Sequence, residues 1–202
     1  MFFLPTLASL RRSGAVIHLL CLSTGNFDGL GRIRSLELLD AGKVVGVSQD
    51  HITVLDHKDL QDGMDQLWPP QLIAEKLNEW VTIHSLQVIM SFDAMGVSNH
   101  PNHICTSEGV RAYMHEVSYG SRLGIEAYAL ESTNMLRKYA GILDFLPTLL
   151  FGMMLHQEWF MHFAPALVWS AMSAHASQFV WYRKLFVIFS RYAYINSFTK
   201  IT

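Results

Sequence analysis

LQVIMSFDAMGVSNHPNHI, residues 86–104, is the stretch on which the fold class turns. Leu86–Phe92 is an apolar run of strand length, and an acid, Asp93, closes it. Small residues follow, then His100-Pro101. Proline suits the first turn of a helix and pushes the residue before it toward extended backbone. The stretch therefore reads as a buried strand, a turn and a helix start. The helix continues through PNHICTSEGVRAYMHEVSYGSRLG (101–124), and EAYALES (126–132) reads as the next strand. On the N-terminal side, WPPQLIAEKLNEWVTIH (68–84) reads as a helix opened by Pro69-Pro70, with Leu72, Ile73, Leu77 and Trp80 on one face. AVIHLLCLS (15–23) is a continuous apolar run, as in a buried parallel strand. TGNFDGLG (24–31) is a glycine-rich turn, and RIRSLELLDAG (32–42) a short helix closed by Gly42. KVVGVS and HITVLDH read as strands or strand fragments. Strands alternating with helices predict an α/β fold, a mostly parallel sheet with helices on both faces. In such sheets the site lies beyond the carboxyl ends of the strands, where Ser23–Asp28 and Asp93–His103 both fall.

The chain has 202 residues, enough for one ordinary domain, and a formal charge of −2. That balance gives no basic bias toward nucleic acid. Two cysteines, Cys21 and Cys105, make no disulfide framework. Beyond residue 142 the pattern changes, so we divide the chain into 1–142 and an apolar, aromatic and basic helical region, 143–202. From Trp159 onward there is no Asp or Glu, whereas Arg183, Lys184, Arg191 and Lys200 are present. Twelve of the 24 aromatic residues lie there too. Aromatic plus basic without acid suits a surface that meets lipid head groups, and equally a helical subdomain with its charges on the wet side. Residues 159–182 contain no charged residue and are long enough to cross a bilayer. Pro165, His162, His175 and Gln178 make insertion costly, which favours a helix lying in the interface or docked on the domain. FVWYRKLFVIFSRYAYI (179–195) reads as an amphipathic helix.

His100 and His103 are candidate functional residues. Pro101 places His103 in a first helical turn, where the positive end of the dipole disfavours a protonated imidazole. A metal ligand must be neutral. A spacing of three puts both rings on one side of the turn. One ligand and one adjacent hydrogen-bond donor fit that arrangement, with Asp93 at the strand end in support. Arg34 and Glu37 follow the glycine loop. They read either as a surface ion pair or as an arginine reaching a sugar or phosphate oxygen, positioned by Glu37. The amides of Gly25, Gly29 and Gly31 could meet a phosphate, although their spacing matches no nucleotide motif.

LCLSTGNFDGLGRIRSLEL, SFDAMGVSNHPNH and MSAHASQFVWYRKLFVIFSRYAYINSF together resemble the eukaryotic N-acetylglucosaminyl-phosphatidylinositol de-N-acetylases, of the LmbE-like zinc deacetylase superfamily. The resemblance runs over nearly the whole chain. It implies a Rossmann-like sheet and removal of an acetyl group from a glycolipid in glycosylphosphatidylinositol-anchor synthesis. The implied place is the endoplasmic reticulum membrane, with the catalytic domain on its cytoplasmic face. It implies zinc as cofactor, His103 as a metal ligand, His100 as the catalytic oxyanion donor, and Arg34 and Asp62 as substrate contacts. The family's other zinc ligands and its general base lie in an Ala-His-Pro-Asp-Asp-Glu motif ending the first strand. In the family a Met-Phe-Phe-x-Pro stretch follows that motif, and this chain begins MFFLP. The expectation is therefore an N-terminally truncated chain, lacking the first strand and inactive as written. Two alternatives accompany it: an inactive short form serving as a binding or regulatory partner, and a phosphate- or nucleotide-binding protein using loop 24–31.

Overall fold

The computed structural model describes residues 1–119, 124–155 and 157–201. In chain order the elements are α1 (Leu4–Arg12), β1 (Leu19–Cys21), α2 (Gly31–Val45), β2 (Ile52–Val54), α3 (Pro70–His84), β3 (Val88–Phe92), α4 (Gly96–Asn99), α5 (Pro101–Tyr119) and β4 (Glu126–Leu130). There follow α6 (Met135–Lys138), α7 (Phe145–Leu155), β5 (Glu158–Met161), α8 (Pro165–Ser173), α9 (Trp181–Phe189) and β6 (Ile195–Ile201). Two compact units result: Met1–His57 with Thr133–Ser197, and Lys58–Ser132 with Phe198–Thr202. We call them the first and second unit.

The second unit is built on a strand–helix–strand crossover. β3 and β4 pair in parallel, from Val88↔Glu126 to Phe92↔Leu130. A parallel pair needs a long connection, and α5 lies within it. The expected helix over 101–124 is seen to Tyr119, and residues 120–123 lie outside the described residues. Helix α3 lies against α5 at Gly109, where a Cβ would come within 2.4 Å of Ile73 Cβ. That approach centres the buried face of α3 on Ile73, Ala74, Leu77 and Val81. Leu72 and Trp80, expected on this face, are only half-buried. Burial alternates along β3: Ile89 and Ser91 are buried, Met90 and Phe92 half-buried and Val88 exposed, so one face is covered more deeply than the other.

β6 was not expected. Its residues 198–201 pair antiparallel with β4, from Leu130↔Phe198 to Ala127↔Ile201, and Phe198, Ala127 and Leu130 are fully buried. The amphipathic pattern over 179–195 thus ends early. Helix α9 stops at Phe189, and the Ser190 hydroxyl accepts from the Tyr192 amide to turn the chain. The aromatic and β-branched residues beyond it suit a strand. Residues 143–202 are accordingly not helical throughout, because β5 and β6 lie there.

In the first unit, β1 and β2 pair in parallel around α2, from Leu19↔Ile52 to Cys21↔Val54. β1 is three residues long and half-buried, shorter and more exposed than the run 15–23 suggested. The two strands form a sheet of their own, so each has one strand partner among the described residues. α2 does not close at Gly42. There a Cβ would meet Ile52 Cδ1 at 2.3 Å, so the bare backbone lets the helix lie on β2. The helix closes at Gly46, with φ +75. The Gly46 amide donates to the Lys43 carbonyl and the Val47 amide to the Gly42 carbonyl, a Schellman pair. KVVGVS is therefore a helix end, not a strand. The core gathers Val45 and Val47 with Leu4, Val168, Ala171, Met172, Val187 and Ala193.

The uncharged stretch 159–182 is broken into β5 and α8, the latter running only from Pro165 to Ser173. Among the described residues no helix is long and apolar enough to cross a membrane. Arg191, read as a surface cation, is fully buried. Its Nε meets Asp144 Oδ2 at 2.5 Å, and its Nη2 donates to Thr148 Oγ1 and Ser197 Oγ, each at 2.9 Å. Arg137 Nε donates to Asp144 Oδ1 at 2.7 Å. In the second unit Lys200 pairs with Glu126. Arg183 Nη1 donates to the Gln178 carbonyl at 3.0 Å, so three of the four cations assigned to a lipid-facing surface have polar partners within the protein.

Candidate active site

The loop after β3 is held by Asp93. Its carboxylate accepts from the Ser132 amide at 2.7 Å, the Ser132 hydroxyl at 2.6 Å and the Met95 amide at 3.1 Å. Ser132 Oγ in turn accepts from the Val97 amide at 2.8 Å. These bonds hold a strained backbone: Gly96, Val97 and Asn99 have φ of +56, +64 and +56. A positive φ at a β-branched valine is a rare, costly conformation. At Gly96 only hydrogen fits, since a Cβ would stand 2.7 Å from His103 Cβ.

The Gly96 carbonyl lies 3.0 Å from His103 Nδ1. A carbonyl only accepts, so Nδ1 carries the hydrogen and Nε2 the lone pair that a metal ligand needs. The ring stacks on Phe92 at 4.1 Å. Burial draws its pKa down to about 4; the neighbouring His100 adds to this, while the bond to Gly96 opposes it. The imidazole is neutral at pH 7, as expected, but burial rather than a helix dipole heads the causes.

His100 has the opposite tautomer. Its backbone is extended, with φ −71 and ψ 126, and Pro101 opens α5 behind it. The Asn102 amide donates to its Nδ1 at 3.3 Å, which leaves the hydrogen on Nε2. The two rings are 5.0 Å apart. Asn102 is itself buried, and its Nδ2 donates to Asp62 Oδ1 at 2.9 Å. Asp62, Asp93, His100 and His103 are therefore tied together around the first turn of α5 and the loop before it.

Arg34 and Glu37 belong to the first unit and are not each other's partners. Arg34 Nη2 meets Asp28 Oδ2 at 2.5 Å, and its Nη1 donates to the Gly25 carbonyl. Glu37 is buried and accepts from the Ser177 amide at 2.7 Å and the Ser177 hydroxyl at 2.6 Å. Asp28, not Glu37, orients Arg34, while Glu37 fastens α2 to the 177 turn. In loop 24–31 the Gly29 amide donates to the Asn26 carbonyl and the Gly31 amide to Asn26 Oδ1. Those two amides are already engaged within the loop, which weakens the phosphate reading.

Sequence reasoning missed Asn102 and Ser132, and it gave Asp28 and Ser177 no role of their own. Ser132 had a signal: it lies just past β4, at the carboxyl end of a parallel strand. Asn102 sits between the two histidines of His-Pro-Asn-His, yet nothing local said it would be buried. A catalytic zinc takes about three protein ligands and a water. His103 supplies one nitrogen, and among the described residues no group of three or more His, Cys, Asp or Glu could hold a metal ion. The residues present do not fit a zinc ion.

Comparison with known proteins adds to this geometry. The family model described as PIG-L: GlcNAc-PI de-N-acetylase matches residues 1–114. A Bos taurus N-acetylglucosaminyl-phosphatidylinositol de-N-acetylase is 35% identical over 201 residues, covering 98% of this chain and 77% of that protein. A Dictyostelium discoideum protein titled "Probable N-acetylglucosaminyl-phosphatidylinositol de-N-acetylase" is 34% identical over 231 residues, covering 100% of this chain and 88% of its own. Among solved structures, the N,N'-diacetylchitobiose deacetylase from Pyrococcus horikoshii aligns with a TM-score of 0.61 at 16% identity, over 98% of this chain and 78% of that one. That likeness shows a shared α/β fold.

Proposed function

The chain belongs to the GlcNAc-PI de-N-acetylase family, and from that premise we propose how its residues serve hydrolysis of an N-acetyl amide on a glycolipid. The reaction is removal of acetate from N-acetylglucosaminyl-phosphatidylinositol in glycosylphosphatidylinositol-anchor biosynthesis. The observation that carries the reading is the pair of opposite tautomers at His100 and His103. His100 Nε2–H donates to the oxyanion that forms as water adds to the acetyl carbonyl, and one such donor is worth roughly 3 kcal/mol of barrier. His103 Nε2 offers one metal ligand. Asp62, held by Asn102, accepts from a sugar hydroxyl. Arg34, oriented by Asp28, meets a sugar or phosphate oxygen. Residence at the endoplasmic reticulum membrane, with the catalytic domain on the cytoplasmic face, belongs to the same proposal. Its support is the lipid half of the substrate and the apolar, aromatic C-terminal region. Protease protection in sealed microsomes tests it, and a protected catalytic domain contradicts it.

Because the donor set does not fit zinc, these 202 residues are expected to bind the glycolipid without hydrolysing it. That expectation also favours the second reading, a binding or regulatory form. Metal content and acetate release separate the two for three proteins: the 202-residue chain, the chain extended by the family's His-Pro-Asp-Asp-Glu strand, and the extended chain with His103→Ala. We expect neither property in the first, both in the second and loss of both in the third. Acetate release by the 202-residue chain would overturn the donor-set argument. An extended chain indifferent to His103→Ala would overturn the role of His103.

A further inference from the structure

Helices α7 and α9 of the first unit both turn an apolar stripe to solvent. On α7, Leu146, Leu150 and Met154 are spaced by four and are 66%, 64% and 76% exposed. On α9, Trp181, Leu185 and Ile188 are 72%, 46% and 48% exposed, while Val187 faces the core. A Cβ on Gly141 would lie 3.5 Å from the Phe189 carbonyl, so the turn leading into α7 runs against the end of α9. Exposed apolar stripes of this kind mark binding faces.

We propose that α7 and α9 form a docking face that lies in the interface of a phospholipid bilayer with anionic head groups. Composition and charge select lipid over a protein partner. The α9 stripe places a tryptophan beside aliphatic side chains, with Lys184 exposed next to them; such rings and lysines settle at the head-group level. Between Thr133 and Ser197 there are two acids. Asp144 is buried against Arg137 and Arg191, leaving Glu158 as the exposed one. Neither helix carries an acid, and α9 presents one exposed cation, Lys184, so the face is apolar with a single positive charge and suits an anionic lipid surface. No spanning helix is required, since a helix lying in the interface buries only its apolar stripe. The choice of lipid rests in part on the reading of the substrate as a glycolipid, whereas the face itself rests on these exposures.

The test is flotation of the purified 202-residue protein with vesicles of phosphatidylcholine, alone and mixed with phosphatidylserine. We expect binding that rises with phosphatidylserine. Leu150→Glu with Met154→Glu, or Leu185→Glu with Ile188→Glu, should lower partitioning about tenfold or more. Lys184→Glu should remove much of the phosphatidylserine dependence. Ile83→Glu, an exposed apolar site on α3, should change nothing. Thermal melting of each variant shows that the face, not folding, was altered. Unchanged flotation in both double variants overturns the proposal. So does a wild-type protein that stays with the soluble fraction as a discrete oligomer which the same variants dissociate, because a second copy then covers the face. No substrate is used, so the outcome is separate from the functional reading. A protein that floats while its extended form releases no acetate refutes that reading alone. An extended form that deacetylates a short-chain soluble substrate but does not float refutes this one alone.

Discussion

Two polar clusters shape this chain, and they are built on opposite principles. In the first unit, Arg191, Asp144, Arg137 and Thr148 close on one another: a fully buried ion pair whose carboxylate also takes a second guanidinium and a hydroxyl. In the second unit, His100, His103, Asn102 and Asp62 are joined by neutral donors, on a loop with three positive-φ residues. The closed cluster uses charge to fix a chain path. The strained one uses hydrogen bonds to set tautomers, and so places an imidazole lone pair on Nε2 of His103 and an imidazole N–H on Nε2 of His100. Strain beside a histidine pair and charge closed on itself mark, respectively, a site and a structural fastening.

The largest effect is expected at Asp144. Asp144→Asn leaves two guanidinium groups facing a neutral amide, one of them fully buried. Breaking a buried pair in this way costs about 3–5 kcal/mol, a large part of a small domain's total stability. A collapse of soluble yield or a large fall in the urea midpoint should result. Arg191→Met combined with Asp144→Leu should be milder than the two single losses added, since it removes the uncompensated charge as well as the pair. A near-neutral Asp144→Asn would remove the contrast between the clusters.

Next comes Gly96→Ala. The left-handed backbone costs a side chain roughly 1–2 kcal/mol, and the added methyl would meet His103 Cβ at 2.7 Å. Stability should fall modestly, whereas metal binding by the chain extended with the family strand should fall steeply, because the ring moves off its anchor. Equal losses in both measurements would make the loop structural rather than functional.

What was legible in the sequence follows the same divide. The strand–turn–helix around Asp93 and His100 is local: an apolar run, an acid, a proline and helical spacing. It was read in the right order, and Asp93 and His103 each bond to the loop between them, at Met95 and Gly96. The fate of Arg191 is not local. Ser190-Arg191-Tyr192 sits in an apolar, basic, aromatic stretch that suits a lipid surface equally well, and only Asp144 and Thr148, more than forty residues earlier, take it inside. Likewise Gly42 looked like a helix end because glycine closes helices; it is interior because Ile52 lies across it. Glu37 was assigned to its helical neighbour Arg34, while Ser177, far along the chain, claims it. Period and punctuation locate elements; partners distant in sequence decide which charge is structural.

A smaller effect should come from Asn102→Ala. It removes the bond to Asp62, worth about 1 kcal/mol or somewhat more where the acceptor is charged, but it leaves the backbone amide that sets the His100 tautomer. In the extended, metal-loaded chain the expected result is a raised KM with kcat largely kept, since Asp62 is assigned to substrate and His100 to the oxyanion. A fall in kcat with KM unchanged would reassign Asn102 to the chemistry.

The smallest effect is a pH dependence that isolates His103. An unfolded histidine titrates near 6.5, whereas burial lowers this one to about 4 in the fold. Between those values the unfolded chain binds a proton that the folded chain refuses. The stability contributed is therefore complete above about pH 6.5 and is lost as pH falls toward 4. Between pH 7 and pH 6 the loss is on the order of 0.5–1 kcal/mol. His162 and His175 are also lowered by burial, so the whole-chain slope cannot be assigned to one ring. The informative quantity is the difference between wild type and His103→Gln, whose amide nitrogen can still donate to the Gly96 carbonyl. Urea midpoints for the metal-free 202-residue chain at pH 7 and pH 6 should show a shallower slope in the variant. Identical slopes would mean that His103 is open to water in solution, and the neutral imidazole that the metal-ligand assignment needs would have lost its physical cause.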